Sequence, residues 1–112
     1  FLKCLVEYNM GLNEYQVIAA VTAQYKDKFY PIASLMVEAA ELSDLFVKPM
    51  LRGDDRVIER EEIIAEAGDV LWNLAMVLRD NGVDLEEVAC YNLKKLHDRL
   101  DRGVIQGSGG NR

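Results

Sequence analysis

Apolar residues recur at three- and four-residue intervals along most of the chain, and no segment alternates with the period of two that a half-buried strand requires. The pattern predicts an all-α fold without internal repeats. In NEYQVIAAVTAQYKDKF, Tyr15, Ile18, Ala19, Thr22 and Tyr25 share a helical face behind Asn13, a suitable N-cap, so a helix is expected over about 14–28. Pro31 suits the first turn of a second helix through IASLMVEAAELSDLFVK. That helix should stop before Pro49, because proline disfavours helical geometry in the residue preceding it. PMLRGDDR reads as a loop, and a third helix is expected over about 59–80, ending at Asn81 and Gly82. Asp84 and Glu87 have capping-box spacing for a fourth helix, whose Leu85, Val88, Ala89, Asn92, Leu93, Leu96 and Leu100 fall on one side. The expected architecture is a compact bundle of about four helices.

At 112 residues and 50% hydrophobic content, the chain is long enough for one domain with a modest core. Its expected bounds are 12–102, between an N-terminal extension or leader over 1–11 and a glycine-rich tail over 103–112. Met10 directly precedes GLNEYQ, so residues 1–9 read as upstream of the domain. Thirteen Lys and Arg against 19 Asp and Glu give a net charge of −6, which argues against a nucleic-acid surface. An anionic ligand would need cations as intermediaries. Cys4 and Cys90 have neither CxxC nor Cys/His metal spacing, and a reducing cytoplasm is the simpler setting for them. No apolar run approaches the ~18–20 residues that span a bilayer, and FLKCLVEYNM lacks the long apolar region of a signal peptide, so no membrane partner is expected.

The chemistry concentrates in EEIIAEAGDVLWNLAMVL, where Glu62, Glu66, Asp69 and Asn73 occupy one stripe of a 3.6-residue helix. Ile63, Ala67, Val70, Leu71, Leu74 and Leu78 form one apolar face, and Ala65, Gly68, Trp72, Ala75 and Met76 form a second. The acids therefore lie between two faces that both want neighbours, where an uncompensated carboxylate costs several kcal/mol. Helix two carries Glu38 and Glu41 at i, i+3, with Asp44 beyond, amid Leu35, Met36, Ala39, Ala40, Leu42 and Leu45. If the two helices pack antiparallel, the acid pairs face each other. Four oxygen donors without His or Cys suit a hard octahedral cation, Mg²⁺ or Mn²⁺, and more than one ion would point to phosphate chemistry. The competing reading is a solvated strip paired with Arg52, Arg56 and Arg60.

VEAAELSDLFVK followed by EEIIAEAGDVLWNLA resembles the MazG-like all-α nucleoside triphosphate pyrophosphohydrolases, whose pattern is Glu-x-x-Glu, a spacer, then Glu-x-x-Asp. The likeness continues through VDLEEVACYNLKKLHDR and GVIQGSGGNR, and covers about residues 12–112. It implies metal ligation by Glu38, Glu41, Glu66 and Asp69, and Mg²⁺-dependent hydrolysis of an NTP or dNTP to monophosphate and pyrophosphate. Glu41 or Glu38 would take the proton from water. The family's Asn-x-x-Lys matches Asn92 and Lys95 as substrate contacts, with Lys48, Arg99 and Arg112 as further candidates; ordinary surface charge is the bland alternative for the lysines, and a frayed terminus for Arg112. Gly110 stands where the family's tail usually has aspartate, so any contact of that aspartate is absent here. The resemblance also implies a homo-oligomer, a dimer or a dimer of dimers. A specialised dUTP, dCTP or phosphoribosyl-ATP pyrophosphohydrolase and a non-catalytic metal-binding dimerisation module remain as alternatives. Packing is preferred over base stacking for Trp72, and His97 receives no role.

Overall fold

The helical periodicity resolves, in a computed structural model describing residues 10–103, into α1 (Leu12–Ala19), α2 (Phe29–Leu51), α3 (Arg60–Asp80) and α4 (Leu85–Asp101). No strand occurs among the described residues. The expectations for residues 1–9, and for the tail from 104 onward with Gly110 and Arg112, lie outside the described residues. No helix among the described residues is long and apolar enough to cross a membrane.

The most extensive packing joins α2 to α3. Tyr30 near the start of α2 borders one cavity with Trp72 in the second half of α3, whereas Lys48 near the end of α2 borders another with Glu66 in the first half of α3. The two helices thus run antiparallel. Pro31 lies in the first turn of α2, where a missing N–H costs nothing, and the Asp27 carboxylate accepts the Phe29 N–H at 2.9 Å. Contrary to expectation, the helix runs past Pro49 to Leu51. The proline falls in the last turn, and Gly53, at φ 66°, closes that turn: Gly53 N–H reaches Met50 O at 3.2 Å, and Asp54 N–H reaches Pro49 O at 2.8 Å. These two bonds satisfy carbonyls that the helix end would otherwise leave open. Gly82 ends α3 in the same manner.

α1 is shorter than its periodicity predicts. After Ala19 the backbone tightens into a 3-10 turn over Ala20–Thr22, and at Ala23 it becomes extended. Tertiary contacts draw the following residues away: the Tyr25 hydroxyl donates to Asp80 Oδ2 at 2.6 Å, and its ring meets Trp72 edge-on at 6.1 Å and stacks on Tyr30 at 5.8 Å. Trp72 Nε1 donates to Thr22 Oγ1 at 2.9 Å, so this indole packs, as expected.

Two caps also differ from expectation. Asn13 lies within α1, not at its cap, and Asp84 caps α4 by position without a side-chain hydrogen bond. The first amides of α4 are met by α1 instead: Gln16 Oε1 accepts from Leu85 N–H at 3.3 Å and Asn13 Oδ1 from Glu86 N–H at 3.0 Å. Gln16 is buried, and its Nε2 also donates to Ala75 O and Val83 O. Around this joint lies the core of Ala75, Met76 and Leu85, flanked by Tyr15, Ala19, Trp72 and Leu78. Farther along α4, Val88, Leu93 and Leu100 are exposed, so the apolar side expected for that helix is only partly covered by this chain.

Tyr25→Phe should destabilise the protein by about 1–2 kcal/mol, because it removes the donor to Oδ2 of an Asp80 carboxylate whose side chain is only 7% exposed, leaving that carboxylate with Arg79 at Oδ1. Burial, then the hydrogen bond and charge of Asp80, push the Tyr25 hydroxyl up to about 12. A group held protonated in the folded state contributes fully below its unfolded value, about 10, and its contribution is lost as pH rises toward about 12. Melting curves across that window should fall more steeply for wild type than for Tyr25→Phe. Identical curves would show that the clasp contributes nothing.

Candidate metal centre

Antiparallel pairing of α2 and α3 brings Glu38 beside Glu66 and Asp69, which stand three apart on α3 and so project from the same flank. One carboxylate oxygen from each of the three lies within 4.8 Å of the others. Glu38 and Glu66 are half-buried, while Asp69 is exposed, so the acids are less enclosed in this chain than two flanking apolar faces predict. The second face is open at Gly68, where an added Cβ would meet nothing within 4 Å. Glu41 is exposed one turn beyond Glu38, outside the tight triad, and lines a cavity of about 300 Å³ with Glu66.

The triad's charge is uncompensated. Among the described residues no ion pair joins a lysine or arginine to Glu38, Glu66 or Asp69. Desolvation, then repulsion from Asp69, Glu41 and Glu66, holds the Glu38 carboxyl above the usual carboxylate range. Converging carboxylate oxygens without a counter-cation, and without nitrogen or sulfur donors, fit a hard divalent ion. Asn73 lies one turn beyond Asp69 and is 4% exposed; its Nδ2 donates to Asp69 O at 2.8 Å. Its Oδ1 is a buried acceptor without a hydrogen-bond partner.

Glu62 leaves the acidic stripe. Its carboxylate accepts from Arg56 Nη2 at 3.0 Å and Nη1 at 3.3 Å, and from the Glu59 N–H at 2.9 Å. The ion-pair reading therefore applies to Glu62, whose pKa is lowered first by the Arg56 hydrogen bond, and not to the triad. Lys48 lines the Glu41–Glu66 cavity, joined there by Arg52 and Arg56, which the sequence-based substrate set omits. The three-residue spacing of Glu59 and Glu62, a capping-box spacing, was the available signal that Glu62 faces the loop.

No hydrogen bond or ion pair among the described residues joins Asn92 or Lys95 to the three acids. Asn92 is exposed, Lys95 Nζ lies 5.6 Å from the Tyr91 ring centroid within α4, and Arg99 is buried near the end of that helix, which packs chiefly on α1. A second cavity of about 520 Å³ lies between Thr22, Tyr25, Tyr30 and Trp72.

The MazG nucleotide pyrophosphohydrolase domain matches residues 31–104, a span that holds nearly all of α2, all of α3 and α4, and Glu38, Glu41, Glu66 and Asp69. The chain belongs to this family. The MazG chain is also 40% identical over 115 residues to the Gene 37 protein of Mycobacterium phage L5, an alignment covering 92% of this chain and 100% of that protein. No solved structure matches at a significant level. The acid triad of Glu38, Glu66 and Asp69 lies within the span that matches this family.

Glu38→Gln should raise the melting temperature of the metal-free protein at pH 7. With the carboxyl's pKa raised on folding, its stabilising contribution is complete below the unfolded value and is lost as pH rises through the folded value, so the variant's advantage should vanish near about pH 4. Bound Mg²⁺ should stabilise wild type by about 2.7 kcal/mol at a hundredfold excess over Kd and stabilise the variant much less. A metal-free melting temperature that is unchanged or lower in the variant would refute repulsion within the triad.

Proposed function

We propose that this chain hydrolyses a nucleoside triphosphate, NTP or dNTP, to the monophosphate and pyrophosphate in the cytoplasm, with Mg²⁺, or Mn²⁺ in its place, held by Glu38, Glu41, Glu66 and Asp69. The observation that carries this reading is the convergence of three unpaired carboxylates from two adjacent helices within the span shared with the MazG family. A divalent cation bound there supplies charge neutralisation for the polyphosphate and makes water more acidic. The protein's own part is positional. α2 and α3 hold the acids on a rigid hairpin, which fixes where the α-phosphorus lies relative to the attacking water. Glu41, one turn from Glu38 and exposed to solvent, accepts the water's proton, and Glu38 is the alternative acceptor. As the new P–O bond forms, the bond from the α-phosphorus to the bridging oxygen breaks and pyrophosphate leaves. Asn92, Lys95, Lys48, Arg99 and Arg112 are the proposed polyphosphate contacts from the family pattern.

The working form in this reading is a homo-oligomer, a dimer or a dimer of dimers. Pro31, Ala75, Met76 and Leu85 are the buried apolar side chains among the described residues, too few to hold a domain by themselves. Phe29, Ile32, Met36, Val47 and Met50 follow one another at helical spacing along α2 and are all exposed, Met36 by 73%. A second copy covering this stripe removes it from water, and α4, packed chiefly on α1 here, can bring Asn92 and Lys95 to the acids of a neighbouring copy.

Incubation with NTPs and dNTPs in ¹⁸O-water should give monophosphate and pyrophosphate, with the label in the monophosphate. Glu41→Gln and Asp69→Asn should each lower kcat by about 100-fold or more while keeping the helical spectrum. More than a tenth of wild-type activity in both variants, or nucleoside diphosphate as the product, would refute the assignment.

Sedimentation should show a dimer or tetramer at micromolar concentration, and Met36→Asp should dissociate it and lower its melting temperature. A monomeric wild type would overturn the assembly.

A further inference from the structure

The connection between α2 and α3 is shaped by its own hydrogen bonds. Gly53 turns the chain through the left-handed region, and Arg56 N–H donates to Asp54 Oδ1 at 2.9 Å, which fixes the arginine's backbone. From the far end, Glu62 holds the guanidinium through both terminal nitrogens, and the Glu59 N–H in turn holds Glu62. This bidentate pair raises the pKa of Arg56 and lowers that of Glu62. A guanidinium has five N–H donors. Two are occupied by Glu62, and three remain.

Those donors belong to a side chain that lines the same cavity of about 300 Å³ as Glu41 and Glu66. Lys48 and Arg52 line it as well. Lys48 is tied to Asp44 at 3.3 Å, whereas Arg52 forms no ion pair among the described residues. Arginine forks match phosphate oxygens in geometry as well as charge. The cavity's acids nevertheless outnumber its cations, so it repels a bare anion and suits one that arrives with a divalent cation for Glu41 and Glu66.

We infer that Arg52 and Arg56 form a subsite for the terminal phosphates of the substrate, binding a pyrophosphate group as its magnesium complex, and that Glu62 is a positioning residue that aims Arg56. The inference rests on reading Glu41 and Glu66 as cation ligands. It makes the α2–α3 connection the end of the cleft that receives the leaving group.

Calorimetric titration with inorganic pyrophosphate in Mg²⁺ tests this directly, with a nucleoside monophosphate as the control ligand. Arg52→Gln and Arg56→Gln should each weaken pyrophosphate about tenfold and leave the monophosphate within about twofold. Arg56→Lys should restore only part of the loss, because an ammonium lacks the fork. Glu62→Gln should weaken pyrophosphate in the wild-type background but add nothing in Arg56→Gln, a non-additivity that a merely structural role would not produce. Unchanged pyrophosphate affinity in both arginine variants, equal weakening of the monophosphate, or absence of Mg²⁺-dependent pyrophosphate binding to wild type would each overturn the subsite. An additive effect of Glu62→Gln would overturn its positioning role. Because binding is read without turnover, arginine-dependent pyrophosphate binding in a protein that fails to hydrolyse triphosphates would sustain the subsite and refute only the hydrolase.

Discussion

Glu38, Glu66 and Asp69 repel one another, and the α2–α3 hairpin holds them together regardless. Neither helix contributes a cation to the cluster, so what keeps the acids near each other is the packing of α2 on α3, along which Leu35, Leu42, Ile63 and Val70 are half-buried. A structure that accepts such repulsion in its resting state gains most when something of opposite charge enters. Ligand affinity and apo-state stability are therefore opposed at this site, and any change that relaxes the repulsion removes part of what draws the ion in.

The second half of the hairpin was the most legible part of the sequence. α3 is long, strongly periodic and bounded by local signals, a Glu59–Glu62 cap and an Asn81–Gly82 stop, and the expected 59–80 agrees with Arg60–Asp80. α1 ends earlier than expected because helical periodicity is real there but does not fix where the helix stops. Tyr25 continues the helical face, yet its partners Trp72 and Asp80 are about fifty residues away in sequence, and their pull ends the helix early. Pro49 departs from expectation for a related reason, since a glycine-closed last turn outweighs the rule against helix at the preceding residue.

At the site, the three acids that converge were all legible from spacing, because i, i+3 pairs on helices with no other use for charge leave few alternatives. Glu62 has the same spacing and a different fate. Position on a helix stripe fixes direction but not height along the axis, and Glu62 sits in the first turn, where Arg56 and an open backbone amide compete for it. Periodicity does not give a loop's path, so the sequence offers the basic loop residues only as partners of the acids.

The caps of α4 impose an order on events. The amides that Asn13 and Gln16 satisfy lie 73 and 69 residues further along the chain, so α1 leaves the ribosome long before the helix it caps. Until then Gln16 must stay hydrated, since burying its amide without Ala75, Val83 and Leu85 in place would strand it. Docking of α1 and nucleation of α4 are thus one cooperative event, closing a long loop. In the native state the same coupling runs in reverse: undocking of α1 uncovers the Leu85 and Glu86 amides at the start of α4.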